Sequence, residues 1–348
     1  MPNLLIKDLN HILKNTKDVW KELKNKKIFI TGGTGFIGCW LLESFVYANE
    51  KLNLNSSAIV LTRNLDKIQR KAPHLFSNSA IKFIVGDIRS FSFPCANFSD
   101  IIHAAAETES KLYEENPMLM LDILIQGTKR VLDFAVNCNA ERFLLVSSGA
   151  IYGEQPSEIT NIREDFKGSL NPIGINSVYG FGKSISELLC VIYAKEQNLN
   201  TKIARCFAFV GPYLSLDSHF AIGNFINNFI CHEPIVIKGD GTPYRSYLYA
   251  ADLVIWLWNI LVRGETCKPY NVGSEKPISI CDLAELISNI HEPKLKIFVK
   301  GIKKSGRHIE RYVPSTKRAR LELNLEQKIS LQDAIKRTIN WYIKALNY

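Results

Sequence analysis

Residues 27–38 read KIFITGGTGFIG. A short apolar run, the pattern of a buried strand, breaks at a glycine-rich turn and resumes as a helix. Glycines at 32, 35 and 38 give the spacing GxxGxxG. Gly32 permits the tight turn that leaves the strand, Gly35 lets the backbone approach a pyrophosphate, and Gly38 lets the new helix lie against the strand. The helix N-terminus offers free N–H groups and the positive end of its dipole to phosphate oxygens. Glycine spacing alone is a weak signal, but strand, turn and helix in this order read as a dinucleotide site.

Outward from this stretch the alternation repeats. Apolar runs at AIVLTR (58–63), IKFIVGD (81–87), DIIHAAA (100–106), RFLLVSS (142–148) and KIARCFAFVGP (202–212) leave room for crossover helices. The pattern predicts an α/β fold with a doubly wound, Rossmann-type parallel sheet. Helices are expected over 36–48, over 114–138 with an interruption near Pro117, and over 178–197. Past residue 212 turn signals thicken, at KGDGTPYRS (238–246), NVGSEKP (271–277) and KKSGR (303–307). Helical pieces remain at 251–263, 279–290 and 330–346, so a smaller mixed α/β substrate lobe is expected to cap the sheet. The expected division is a helical extension over 1–25, a dinucleotide-binding domain over 26–170 that continues through about 178–212, and a mainly substrate-binding lobe over 213–348.

The chain has 348 residues, 46% of them apolar and 22% charged, enough for a large core. The formal net charge of +9 comes from basic residues spread along the chain. That suits a small anionic ligand and lacks the basic, aromatic-interleaved arm of a nucleic-acid binder. The opening MPNLLIKDLNHILKNTKDVW has charges and amides in every apolar run, unlike a signal peptide. The longest apolar stretch, 246–262, carries Asp252 and Asn259 and reads as a buried helix rather than a membrane span. Eight cysteines form no CxxC pair. A cytoplasmic setting with reduced thiols, no metal site, no nucleic acid and no membrane partner is the expectation.

Two further stretches carry chemistry. In FLLVSSGAIYG (143–153) an apolar run ends on Ser147 and Ser148. In YGFGK (179–183) a spacing of four puts Tyr179 and Lys183 on one helix face. A tyrosine near pKa ~10 is a poor proton-transfer group at neutrality, and bringing it down by ~3 units takes about 4 kcal/mol. A neighbouring ammonium can supply part of that, which makes Tyr179 a general acid/base for a carbinol or ketone oxygen. The second run ends at Thr62 and Arg63, with no carboxylate to hold ribose hydroxyls. An arginine can pair with a 2′-phosphate, so NADP(H) is favoured, with NAD the alternative. Asp87 closes the third run and is expected to hydrogen-bond adenine. His103 is read as a structural hydrogen-bonder, and Trp256 and Trp258 as core.

Taken together, GxxGxxG at 32–38, HAAA at 103–106, SS…YG at 147–153 and YGxGK followed by Ser186–Glu187 resemble the extended short-chain dehydrogenase/reductase family. Within it they resemble the NAD-dependent epimerase/dehydratase branch that acts on sugar nucleotides. GDGTPYRSYLYAADL (239–253) and GRHIERYVPSTKRARLELNL (306–325) are similar to its substrate segments. The resemblance implies Tyr179 as acid/base, Lys183 as the residue that holds the nicotinamide ribose, and Ser148 as a hydrogen-bonder of the reacting oxygen. It implies Arg245 and Arg311 as diphosphate partners and Glu107 and Thr108 near the sugar. It adds Phe36, Ile37, Ile88, Ala104, Ala105 and Ser147 to the residues lining the cofactor. A nucleoside-diphosphate sugar substrate and a homodimer, formed through helices near 114–138 and 178–197, are also implied.

The chain departs from the family pattern where dehydratases and decarboxylases keep a glutamate, two residues before the tyrosine at Tyr152's place, with an aspartate ahead of it in dehydratases. Here Gly149 and Ala150 stand in those places. Neither can protonate a leaving hydroxyl or take a C5 proton. Ala208 and Leu124 replace two family asparagines. The expected activity is therefore oxidoreduction at sugar C4: a 4-keto-sugar-nucleotide reductase first and a 4-epimerase with bound NAD second. A 4,6-dehydratase or decarboxylase ranks behind these, and a non-catalytic dinucleotide sensor last.

Overall fold

A computed structural model of the chain describes residues 4–105, 115–217, 220–303 and 309–346. Seven strands form the central sheet: β1 (Lys27–Thr31), β2 (Ser57–Thr62), β3 (Ile81–Val85), β4 (Asp100–His103), β5 (Arg142–Ser148), β6 (Thr201–Cys206) and β7 (Pro269–Val272). Their order is β7-β6-β5-β4-β1-β2-β3, parallel throughout. β4 and β5 are buried along their whole length, which is why they read as unbroken apolar runs. Strand order reverses between β1 and β4, so a crevice opens at the carboxyl ends of those two strands.

The principal helices are α1 (Ile6–Asn15), α2 (Lys17–Glu22), α3 (Phe36–Leu52), α4 (Pro117–Asn137), α5 (Val178–Gln197), α6 (Ala250–Arg263) and α7 (Leu331–Leu346). Helix α5 has the expected bounds. The interruption expected near Pro117 falls at Asn116: Glu115 is helical, Asn116 is not, and Pro117 opens α4, capped by the Asn116 side chain, which accepts from Leu119 N–H at 3.1 Å. A proline at that position gives up an N–H that has no helical partner in any case.

The run over 202–212 also divides. β6 ends at Cys206, Phe207 donates its N–H to Val272, and Phe209–Val210 leaves the sheet to pair with Leu248–Tyr249. The seventh strand comes from residues 269–272, well past 213, so the chain returns to the sheet after building part of the cap. The remaining short strands pair away from the sheet. Ile235–Ile237 lies beside Ile297–Val299, and Tyr244–Arg245 sits between Ile278–Ser279 and Arg311–Tyr312.

Helix α6 explains the long apolar stretch. Every residue from Ala250 to Leu261 is buried. Its two polar interruptions are satisfied: Asn259 donates to Ile255 O at 2.8 Å, and Asp252 accepts the N–H groups of Lys328 and Ile329, each at 2.9 Å. Helices α1 and α2 complete this layer. Leu9, Ile12, Val19 and Trp20 are buried in the main core, and Trp20 lies 4.8 Å from Trp258. Asp8 reaches further, accepting from Tyr249 Oη at 2.7 Å and pairing with Arg337 of α7. No helix among the described residues is long and apolar enough to cross a membrane.

Removing one partner of a buried pair leaves the other charge uncompensated. Asp8→Ala is therefore expected to cost about 2–3 kcal/mol and to lower the midpoint of a denaturant melt. An unchanged midpoint would mean that α1 unfolds independently of the sheet.

Candidate active site

The glycines of the first turn are fixed by close contacts. Gly32 has φ +72°, and a Cβ there would lie 2.5 Å from the carbonyl oxygen of Ala104. A side chain is excluded by backbone angle and by space together. A Cβ on Gly38 would lie 2.2 Å from the Gly32 carbonyl oxygen, so the helix can rest on the turn only without one. Gly33, which the spacing argument passed over, packs its Cα face on Val60. Gly35 differs. Its added Cβ would meet only the Gly32 carbonyl, at 3.3 Å, so its outer side is open. It caps α3 without a side-chain bond, and no acid stands in the first turn. These residues fit a pyrophosphate: open backbone, free N–H groups and no repelling charge. Phe36 and Ile37 open the helix beside it, and Ala104 and Ala105 donate to the backbone and side chain of Thr31 at 3.2 Å each.

The far end of the cofactor crevice is more occupied than the sequence suggested. Thr62 is buried, and its hydroxyl donates to Asn64 O at 3.1 Å. Arg63 is exposed beside it. Both Asp87 carboxylate oxygens receive the Arg89 guanidinium, each at 2.9 Å, and Arg89 extends to Asp122 at 2.7 Å. Arg89 holds the Asp87 carboxyl down at about 2, with Arg63 adding to the attraction. Adenine would therefore meet a carboxylate already held by an arginine that the sequence reading did not single out. Ile88 is buried and packs against Gly127 of α4.

The two serines at the end of β5 face opposite ways, as strand alternation requires. Ser147 turns its hydroxyl to Glu187 of α5 at 2.6 Å, into the protein. Glu187 forms a buried ion pair with Arg205 at 2.7 Å, and Arg205 donates to Tyr152 Oη at 2.8 Å. Tyr152 in turn donates to Asn271 at 2.8 Å, and burial pushes its hydroxyl up to about 12. Tyr152 is thus an anchor and not an acid. Ser148 lies on the other face, where its Oγ accepts the Ala150 N–H at 3.1 Å.

Tyr179 and Lys183 sit in the first two turns of α5, on the face the spacing predicts. The Lys183 Nζ lies 5.9 Å from the Tyr179 ring centroid and donates to Val146 O at 2.8 Å. Lys183 is buried, and that burial lowers its ammonium to about 8. His103 is buried behind it between Thr31, at 2.8 Å, and Thr128, at 3.1 Å. Burial, assisted by the Lys183 charge, holds this imidazole neutral, down at about 3. It is a structural hydrogen-bonder, as expected. Gly182 lets α5 approach α4: a Cβ there would lie 2.5 Å from Leu124 Cδ1. Leu124 therefore supplies packing where the family pattern has an amide.

Arg245 and Arg311 meet at a cavity of about 300 Å³ whose wall also includes Glu154, Gln155, Glu310 and Tyr312. Arg245 pairs with Glu310 at 3.2 Å. The Arg311 guanidinium lies 4.6 Å from the Tyr244 ring centroid, and its buried Nε has no hydrogen-bond partner among the described residues. Two arginines at one cavity suit a diphosphate. A Cβ on Gly149 would lie 2.7 Å from the Tyr312 hydroxyl and 2.8 Å from the Phe207 ring, so that space is already taken. Glu107 and Thr108 lie outside the described residues. A larger depression of about 410 Å³, between Glu187 and Phe166, excludes Ser148, Tyr179 and Lys183.

The buried Lys183 ammonium sets a pH signature. Its proton is lost above about pH 8, and with it the charge that favours a Tyr179 phenolate. We expect kcat/KM to fall above that pH; a profile flat to pH 10 would remove Lys183 from this role. Between about 8 and the ordinary lysine value of ~10.4, the unfolded chain binds more protons than the folded one. Burial of the charge thus destabilises the fold below pH 8, and this penalty fades as the pH rises. Lys183→Met should therefore abolish turnover while raising the melting temperature at pH 7.

The description "NAD dependent epimerase/dehydratase family" belongs to a family model that matches residues 28–273. UDP-glucuronic acid decarboxylase 1 of Arabidopsis thaliana is 30% identical over 317 residues, covering 91% of this chain and 70% of that protein. An epimerase structure from Methanothermobacter thermautotrophicus superposes with a TM-score of 0.81 at 22% identity, covering 96% of this chain and 97% of that one. A UDP-glucuronic acid 4-epimerase from Bacillus cereus, in complex with UDP-glucuronic acid and NAD, gives 0.77 at 22% identity, with 92% and 99% covered. With the glycine turn at the switch point and the Tyr179–Lys183 pair above it, the chain belongs to the NAD-dependent epimerase/dehydratase family.

Proposed function

We propose that this chain is an oxidoreductase acting at C4 of a nucleoside-diphosphate sugar, and that it reduces a 4-keto sugar nucleotide with NADPH. The observation that carries the reading is at residues 149 and 150. Glycine and alanine supply neither the acid nor the base that elimination or decarboxylation draws on in relatives that keep carboxylates there. A side chain on residue 149 itself has no room, because its Cβ would lie 2.7 Å from the Tyr312 hydroxyl and 2.8 Å from the Phe207 ring. What remains near Ser148 is a serine hydroxyl, a tyrosine and a buried ammonium, which serve a hydride transfer coupled to one proton.

A bound nicotinamide supplies the hydride. Tyr179 gives its proton to the C4 oxygen as negative charge grows there, and Ser148 donates a hydrogen bond to the same atom. Lys183 keeps a positive charge near Tyr179 and is placed to hold the ribose. Arg245 and Arg311 bind the diphosphate, and Arg63 the 2′-phosphate. Glu107 and Thr108 are proposed near the sugar. The division into a dinucleotide-binding part and a mainly substrate-binding part follows from the same assignment. Helices α4 and α5 expose Met118, Leu188, Val191 and Ile192, which supports pairing with a second copy through these helices. A cytoplasmic setting is part of this reading.

A second reading is a 4-epimerase with tightly held NAD. It is favoured by the electrostatic attraction of Arg63 to Asp87, which competes with a 2′-phosphate for that guanidinium. The two separate on one measurement. Nucleotide released by denaturing the purified protein should be absent for the reductase and NAD for the epimerase. Wild-type protein should consume NADPH with a 4-keto sugar nucleotide. Tyr179→Phe should lower kcat on the order of 10²–10⁴-fold with cofactor affinity unchanged. Formation of a 4-keto-6-deoxy sugar from a plain hexose nucleotide would refute both readings.

A further inference from the structure

Arg245, Arg311, Glu154 and Glu310 face one cavity of about 300 Å³. Their formal charges cancel, although an unopposed pair of guanidinium groups would attract a dianion more strongly. The two arginines differ in what they hold. Arg311 lies 4.6 Å from the Tyr244 ring centroid, and its buried Nε has no hydrogen-bond partner among the described residues, which leaves that donor for a ligand oxygen. Arg245 is already engaged. Its Nη1 donates to Tyr244 O at 2.9 Å and its Nη2 to the Glu310 carboxylate at 3.2 Å. The backbone of Glu310 is fixed: its carbonyl accepts the Tyr244 N–H at 2.8 Å, and the next residue, Arg311, pairs with Tyr244 in a parallel ladder. Its carboxylate is held less firmly. The Glu310 side chain is 44% exposed and that of Arg245 30%. An ion pair this open to water is weak, and rotation of one side chain breaks it.

We propose that Glu310 is an internal counter-anion of the diphosphate site: it holds Arg245 in the free protein and is displaced by the diphosphate of the incoming nucleotide, which lowers the affinity for that nucleotide. The proposal rests on the diphosphate reading of Arg245. A diphosphate oxygen and the Glu310 carboxylate compete for one guanidinium. On binding, Arg311 gains a hydrogen bond that it lacks, while Arg245 only exchanges one charged acceptor for another. The displaced carboxylate turns to water. The same exchange run backwards covers Arg245 again as the nucleotide leaves, so release does not strand an unpaired charge at the cavity.

The test is calorimetric binding of UDP and of dTDP, in low and in high salt, to the wild type, Glu310→Gln, Arg245→Met and the double variant. We expect Glu310→Gln to tighten binding about threefold to fivefold in low salt, with a smaller gain in high salt and an unchanged melting temperature. In the Arg245→Met background the same substitution should change Kd by less than about 1.5-fold, because Glu310 acts through Arg245. An equal gain in both backgrounds would mean general charge repulsion and would overturn the proposal, as would unchanged or weaker binding in Glu310→Gln. Arg245→Met binding as tightly as the wild type would refute the diphosphate reading itself. Weaker binding in Arg245→Met beside an unaltered Glu310→Gln would refute the counter-anion alone. Nucleotide bound by Glu310→Gln and by no wild-type protein would support the displacement in its strongest form; binding by neither would overturn both readings.

Discussion

The buried ion pair of Glu187 and Arg205 is the fixed point of the site. Glu187 lies on α5 one turn beyond Lys183 and two beyond Tyr179, on the same face of that helix. Its carboxylate is held by Arg205 of β6 and by Ser147 of β5. The rotation of α5 about its own axis is therefore set by charges that cannot be moved or separated cheaply once buried. Arg205 carries the same constraint outward, to Tyr152, and Tyr152 to Asn271 of β7. Asn271 then donates to the carbonyls of Ile162 and Ser315, which ties the cap to the sheet. One network thus sets both the direction of Tyr179 and the seating of the segment that carries Arg311 and Tyr312.

Two regions of the fold offer groups suited to anions. At the β1–α3 turn these are backbone, with open N–H groups at a helix start and no side-chain charge. At the cap they are guanidinium groups, each partly committed within the protein, Arg245 to Glu310 and Arg311 to the Tyr244 face. Between them lie groups whose charge is controlled by burial. Lys183 is charged but easily neutralised, and His103 is neutral throughout. The net charge of +9 is consistent with such ligands without locating them.

Much of this was legible in the sequence because it is local. The glycine turn, the strand runs and the helix over 178–197 depend on periods of two and 3.6 residues and on the steric demands of single residues. Tyr179 and Lys183 could be paired because four residues make one helical turn. The blank Gly149–Ala150 pair could be read as the loss of an acid and a base. Local pattern is less decisive where long-range packing intervenes: the break near Pro117 is legible as the Asn116 cap, whereas the apolar run over 202–212 reads as continuous although the chain leaves the sheet after Cys206.

The sequence by itself determined the succession of buried strands, the glycine turn and the tyrosine–lysine pair, since each follows from neighbours a few bonds apart. Tertiary structure alone decided what those groups face. It joined Asp87 to Arg89 and Asp122, turned Ser147 away from Ser148 into the Glu187 network, and laid Tyr312 over Gly149. No short-range pattern encodes these contacts. They arise because burying the apolar faces of the sheet and the cap brings distant segments within hydrogen-bonding reach, where most buried polar groups then find a partner.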